Sequence, residues 1–490
     1  MKNGWCPGEI LRMKLTIWDF AFLFLYCLSL PAIGCYHARK NKDACEFLLA
    51  GRKLTLPVFV GTLVATFYGG ILGIAEFTSV HGLGAWLTQG IFWYIVYLLF
   101  ALFLACKIRK MEFYTIPDIL EHRYGKKVAL VGGIFTYLMV NPAPYIVSLA
   151  IILQTFTNIS FFLAILAVTM FAMIYTIWGG FRGIVYTDFF QCILMYTGFW
   201  VLACFTLYEY GFPEFLQKNL SLVKGFECHL NITGNMSWDY ILVWAGISSW
   251  VFVDPNFYQR CYAAKTPKIA QRGIFFAILF WFCFDILSCG TALYAFASQN
   301  AQNFSIPQPG MAHLVLADHV LPSPFKGLFL ASVIALILST LDSYLFTAAM
   351  NISRDYYWRF LNREASSSQM VRITRIAIVV TSFLSAFLAF ALPSVVDLWY
   401  TLGTIGLSAL LVPMMYSFVG KYRLVQTSFI SMISGATIAS IWLITGIFHA
   451  KEGIFQYPWD CQPFYPGIAT SLLCFAIGYT KEKNRIAMNL

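Results

Sequence analysis

Long apolar runs, separated by short basic or Gly/Pro-rich stretches, dominate the 490-residue chain. A helix needs about 20 apolar residues to cross the hydrocarbon core of a bilayer. Thirteen stretches approach that length: 16–36, 54–76, 83–106, 128–153, 159–178, 184–208, 238–256, 273–297, 325–350, 376–392, 395–419, 425–448 and 463–480. The pattern predicts an all-α polytopic membrane protein of about 13 transmembrane helices. The first stretch carries Asp19 near its start and lacks a small-residue cleavage site, so it reads as a retained span.

Composition agrees with a lipid-facing exterior: 59% of residues are hydrophobic and 11% charged. A soluble domain needs more charge than this on its surface. The formal net charge of +10 reads as topogenic, because the basic residues lie in short stretches between apolar runs and not on one folded face. No nucleic-acid partner is expected. The segments 37–53, 107–127, 179–183, 257–272, 351–375, 420–424 and 481–490 place 26 Lys and Arg on one side, against 7 on the other. The positive-inside rule then puts the N-terminus outside and the C-terminus in the cytoplasm, in a cell (plasma or inner) membrane.

No CxxC pair occurs among the 13 cysteines, and the seven histidines fall in loops or at segment ends. That argues against an intramembrane transition-metal site and against the nucleophile–base pair a membrane-embedded enzyme needs. Cys6, Cys228 and Cys461 fall on the expected outer side, where one disulfide stays open. No signalling domain follows the last span, which argues against a sensor, and no continuous polar lining points to a channel.

Interrupted helices free backbone carbonyls near the midplane, where transporters bind cargo. The second span carries Gly69, Gly70 and Gly73; the seventh carries Gly246, Ser248 and Ser249. Four spans separate them, the pattern of an inverted repeat whose halves each open with a broken helix. Asn141-Pro142-Ala143-Pro144 leaves further carbonyls unpaired in the fourth span. Ionisable residues inside spans point to function. In Ser339-Thr340-Leu341-Asp342-Ser343, oxygen-bearing side chains crowd one stretch of helix, as a hard cation such as sodium requires. Asp188 opens the sixth span. Asp285 lies within the eighth with no basic partner in sequence, so it lines a wet cavity or carries a proton. Asp254 and Asp397 lie near span ends and read as interfacial.

Several stretches together resemble the sodium/solute symporter family, which includes bacterial sodium/proline, pantothenate and sialic acid symporters and sodium/glucose cotransporters. They are Ala50-Gly51-Arg52, Pro117-Asp118-Ile119-Leu120-Glu121 with Arg123-Tyr124-Gly125, Gly179-Gly180 followed by Thr187-Asp188, Gln259-Arg260 with Lys265, and Ser339-Thr340 followed by Arg354-Asp355. The resemblance covers roughly residues 47–420. It implies a LeuT-like 5+5 inverted repeat with one extra N-terminal helix and extra C-terminal helices. The chain then divides into 1–53 (outer N-terminus, first helix and cytoplasmic loop), 54–208 (first repeat), 209–237 (outer loop), 238–419 (second repeat) and 420–490 (two further helices and tail).

The resemblance also implies alternating-access symport of sodium with a small organic solute (an amino acid, sugar or carboxylate) and no resident cofactor. The alternatives are a proton-coupled carrier of the same fold and a non-transporting solute sensor. The family's main sodium ligands carry over to Ser339 and Thr340, with backbone carbonyls from Leu336 and from Ala65 and Tyr68. Shifting the register by two residues gives Leu63 and Thr66 instead. Asp188, Asp342 and Ser343 match a second cation position of some members. Solute contacts are expected from Phe67, Tyr68, Trp93, Asn141, Ser248, Ser249 and Asp285.

Overall fold

The computed structural model describes residues 13–39, 41–211, 214–220, 229–302, 305–392, 394–450 and 455–488. Cys6 and Cys228 lie outside this set. Every one of the thirteen apolar stretches is helical over most of its length, and among the described residues no helix packs beside a β-sheet; the single β-bridge joins Leu54 to Ala264. Nine of the described helices are long and apolar enough to cross a membrane, or ten if one sharply bent pair is a single span.

The physical logic of the bundle shows in which helices are hidden. Ile17–Ala38 turns Ile17, Trp18, Phe24 and Leu25 outward, each more than 60% exposed, which only lipid solvates cheaply. Phe325–Met350 is the opposite: nearly all its side chains are buried, including Ser339, Thr340, Asp342 and Ser343. The polar stretch is therefore central and does not face lipid.

Three departures from the expected spans bear on the site. The stretches 159–178 and 184–208 join into one long helix, Phe161–Tyr210, kinked at Gly180, whose φ of 58° suits a residue without Cβ. The second stretch is two helices, Leu56–Thr66 and Ile71–His81, bent by 57° across Phe67–Gly70. The seventh is broken too, in the stretch that holds Gly246, Ser248 and Ser249: Trp238–Ile247 runs into a tight turn over Ser248–Val253, and the chain restarts as Pro255–Ala263. Pro255 cannot donate to the helix before it, and Asp254 caps the new helix by accepting from the N–H groups of Asn256 (2.7 Å) and Phe257 (3.3 Å). Asp254 is thus buried at the break, correcting its reading as interfacial. The stretch 257–272, expected as a cytoplasmic loop, opens with this buried helix, so Arg260 belongs to the core and not to the topogenic charge.

The two broken helices are tied at one end. Leu54 N–H donates to the Ala263 carbonyl (3.1 Å) and Lys265 N–H to the Leu54 carbonyl (3.0 Å). Gln259 adds a bond to the Leu48 carbonyl (3.4 Å). Their breaks therefore face each other across the middle of the bundle.

Candidate ion and solute sites

Helix Leu56–Thr66 ends because nothing continues its hydrogen-bond ladder past Phe67, and the glycines that follow let the chain lie flat against Phe325–Met350. A Cβ on Gly69 would come within 2.4 Å of Thr340 Oγ1, so only glycine permits this approach. The Ser339 hydroxyl lies 3.0 Å from the Ala65 carbonyl and 2.9 Å from that of Leu336. Thr340 Oγ1 lies 3.3 Å from the same Leu336 carbonyl. Thr340 donates to the Leu336 carbonyl and the Tyr68 N–H reaches the Ala65 carbonyl (3.4 Å), so two carbonyls and two hydroxyls converge at one point. The pocket holds no formal charge. Ala65, Leu336, Ser339 and Thr340 meet here, with Gly69 packed against Thr340. The Thr66 hydroxyl donates to the Thr62 carbonyl (2.8 Å) and points to a different cluster.

That second cluster lies one turn further along the same helix. The Asp188 carboxylate accepts from Thr62 (2.6 Å) and Thr66 (3.2 Å) and lies 3.3 Å from Ser343 Oγ. Asp188 and Ser343 come together as expected, but around a cation the sequence reading had placed elsewhere. The Arg260 guanidinium reaches Thr66 (2.6 Å), Ser343 (2.7 Å) and Asp188 (3.3 Å), with both charged side chains fully buried. Asp342 stands beside this group, accepting from the Tyr175 hydroxyl at 2.9 Å. Asp188 Oδ1 and Asp342 Oδ1 are buried without a hydrogen-bond partner among the described residues.

Beyond the break, a cavity of about 180 Å³ opens between the two broken helices and the helices around them. Of its 23 lining residues 13 are aromatic; two, Asp254 and Asp285, are acidic, and none is Lys, Arg or His. Phe67, Tyr68, Trp93 and Asp285 line it, as expected from sequence. Asn141, Ser248 and Ser249 do not. Asn141 caps the next helix through the Ala143 N–H (3.0 Å), while Ser248 and Ser249 bond back to the carbonyls of Ala245 (2.7 Å) and Gly246 (2.6 Å). The sequence reading missed Tyr94, Tyr145, Trp250, Trp281, Tyr344 and Trp399. In a chain that is 18% aromatic, no local signal separates them from packing residues.

On the 107–127 side of the bundle, the Asp118 and Glu121 motif meets Arg354-Asp355. Arg359, fully buried, pairs with Asp118 (2.7 Å), Asp355 (2.7 Å) and Glu121. Thr115 donates to Asp355 at 2.5 Å. Motifs more than 200 residues apart thus form one ionic latch.

Comparison with known proteins is consistent with this geometry. The chain is 25% identical over 403 residues to the high-affinity choline transporter 1 of Drosophila melanogaster, a stretch covering 77% of this chain and 63% of the fly protein. It therefore spans less than two thirds of that relative's length. It is 24% identical over 413 residues to the sodium/glucose cotransporter of Vibrio parahaemolyticus, covering 76% of this chain and 75% of that one. Among solved structures, a substrate-bound, outward-open Na+-coupled sialic acid symporter shares the fold with a TM-score of 0.72 at 18% identity, over 94% of this chain and 97% of that one. Residues 47–435 match the family model, and the chain belongs to the sodium:solute symporter family.

Proposed function

We propose that this protein is a sodium-coupled symporter of a small organic solute, working by alternating access. The carrying observation is the meeting of the Ala65 and Leu336 carbonyls with the Ser339 and Thr340 hydroxyls at the break after Thr66. A sodium ion there takes oxygen ligands from Ala65, Leu336, Ser339, Thr340 and the Tyr68 carbonyl. It bridges Phe325–Met350 to the broken helix and orders Phe67–Gly70, which forms part of the cavity wall. Ion and solute then stabilise the same conformation, so each raises the other's affinity by the same factor. Each inward charge gains about 2.3 kcal/mol per 100 mV of membrane potential.

The reading includes thirteen crossings arranged as a 5+5 inverted repeat within 54–208 and 238–419, with the N-terminus outside. The Arg359 latch lies on the cytoplasmic side in this orientation. The relatives carry chemically different cargo by name, choline and glucose, so family membership leaves the solute open. Uptake into proteoliposomes with an inward sodium gradient tests the reading. It should be abolished by S339A/T340A; uptake driven equally by a proton gradient without sodium would favour the proton-coupled carrier.

A second cation is favoured by one observation. Asp188, Asp342 and Arg260 bury two carboxylates with one guanidinium, and two carboxylate oxygens lack partners. A second sodium or a proton between Asp188, Asp342 and Ser343 balances this charge. The sodium Hill coefficient of wild type against D342A tests it, and identical values near one count against it.

A further inference from the structure

Asp285 is the one acid in the cavity whose charge the fold does not use. Asp254 spends both oxygens on structure, one on the Asn256 and Phe257 amides and the other on Trp250 Nε1 at 2.9 Å. Among the described residues Asp285 is met by two phenols: Tyr68 donates to Oδ1 and Tyr94 to Oδ2. Each oxygen keeps a further lone pair, and the carboxylate lines the cavity. A buried carboxylate without a cation is costly, and no lining side chain supplies one.

The backbone opposite is shaped around this group. Leu87–Ile91 is a π-helical turn, a local irregularity frequent at functional sites. Within it a Cβ on Gly90 would fall 2.9 Å from Asp285 Oδ2 and 3.0 Å from the Tyr94 hydroxyl. The remaining wall is aromatic. Tyr97 packs on Trp281 with centroids 4.2 Å apart, and Tyr145 bridges Tyr344 (5.0 Å) and Trp399 (6.0 Å). Such faces attract cations.

We infer that the solute is a small organic cation carrying an alkylammonium group, seated in the aromatic cage with its charge against Asp285. The inference rests on the symporter reading only in treating this cavity as the cargo site. The test compares purified wild-type protein, with and without sodium, against choline, tetramethylammonium, glucose and the uncharged carbon isostere of choline, in which carbon replaces nitrogen. Binding is read as melting shift against concentration. Choline should bind at least about 10-fold more tightly than its isostere, and D285N should weaken choline by about 10- to 100-fold while leaving the isostere unchanged. The isostere comparison needs no variant and so does not depend on D285N folding. Equal binding of choline and isostere, glucose binding as tightly as choline, or no saturable binding of either ammonium probe overturns the inference. Ammonium binding indifferent to sodium supports it and overturns the coupling reading instead.

Discussion

Two polar pockets sit one turn apart on Phe325–Met350 and solve the problem of charge in opposite ways. The pocket at Ser339 and Thr340 is built of hydroxyls and carbonyls and carries no formal charge, so an ion can enter and leave without stranding a buried counter-ion. The pocket at Asp188 and Ser343 holds a tethered cation, Arg260, which cannot leave. The first leaves its whole oxygen cluster to an ion from solution; the second already carries a cation of its own, and only its unpartnered Asp188 and Asp342 oxygens are left for another. The contrast depends on which side chain brings the charge, since serine hydroxyls line both.

The largest expected effect lies in the tethered pocket. Removing Arg260 (R260A) leaves Asp188 buried and unpaired, at a cost of about 3–5 kcal/mol in denaturation of the detergent-solubilised protein. If R260A melts like wild type, the guanidinium is not the fixed cation described here. By contrast, S339A/T340A removes two neutral hydroxyls. Its stability cost without sodium should be about 0.5–1.5 kcal/mol per lost bond, while sodium affinity falls by about 10-fold or more. A sodium titration of melting temperature separates the two quantities, and a stability loss as large as that of R260A would erase the distinction between the pockets.

G69A sharpens the comparison from the backbone side. The added methyl meets Thr340 Oγ1 at 2.4 Å, so overpacking should cost about 1–3 kcal/mol and spread the sodium ligands apart. Weaker sodium binding with Arg260 undisturbed is the expected result; unchanged sodium affinity would show that the break and Phe325–Met350 need not meet. D342A has the smallest expected effect: the Hill coefficient should drop toward one while the primary affinity holds.

The parts of the site legible in sequence were those that violate their surroundings. Adjacent glycines and a run of hydroxyls stand out inside apolar helices, so the Phe67–Gly70 break and Ser339-Thr340 could be named in advance. Arg260 could not, because a basic residue just past an apolar stretch looks like topogenic charge; only the restart of the helix at Pro255 turns it inward. The second break could be named from Gly246, Ser248 and Ser249, where the helix gives way to the turn from Ser248, but its far side, made by Asp254 capping and the missing amide of Pro255, could not. The aromatic cage stayed hidden because its members come from well-separated segments and each one looks like packing. Asp285 was visible as an oddity, but its two phenol partners and the absence of basic neighbours are facts of tertiary structure.

The central claim is that Ser339 and Thr340, with the Ala65 carbonyl, hold the coupling ion. Its most direct test is equilibrium binding of radioactive sodium to purified protein, comparing wild type with S339A/T340A at matched thermal stability. The account predicts saturable sodium binding in wild type that is lost in the double variant; full retention of that binding would contradict it.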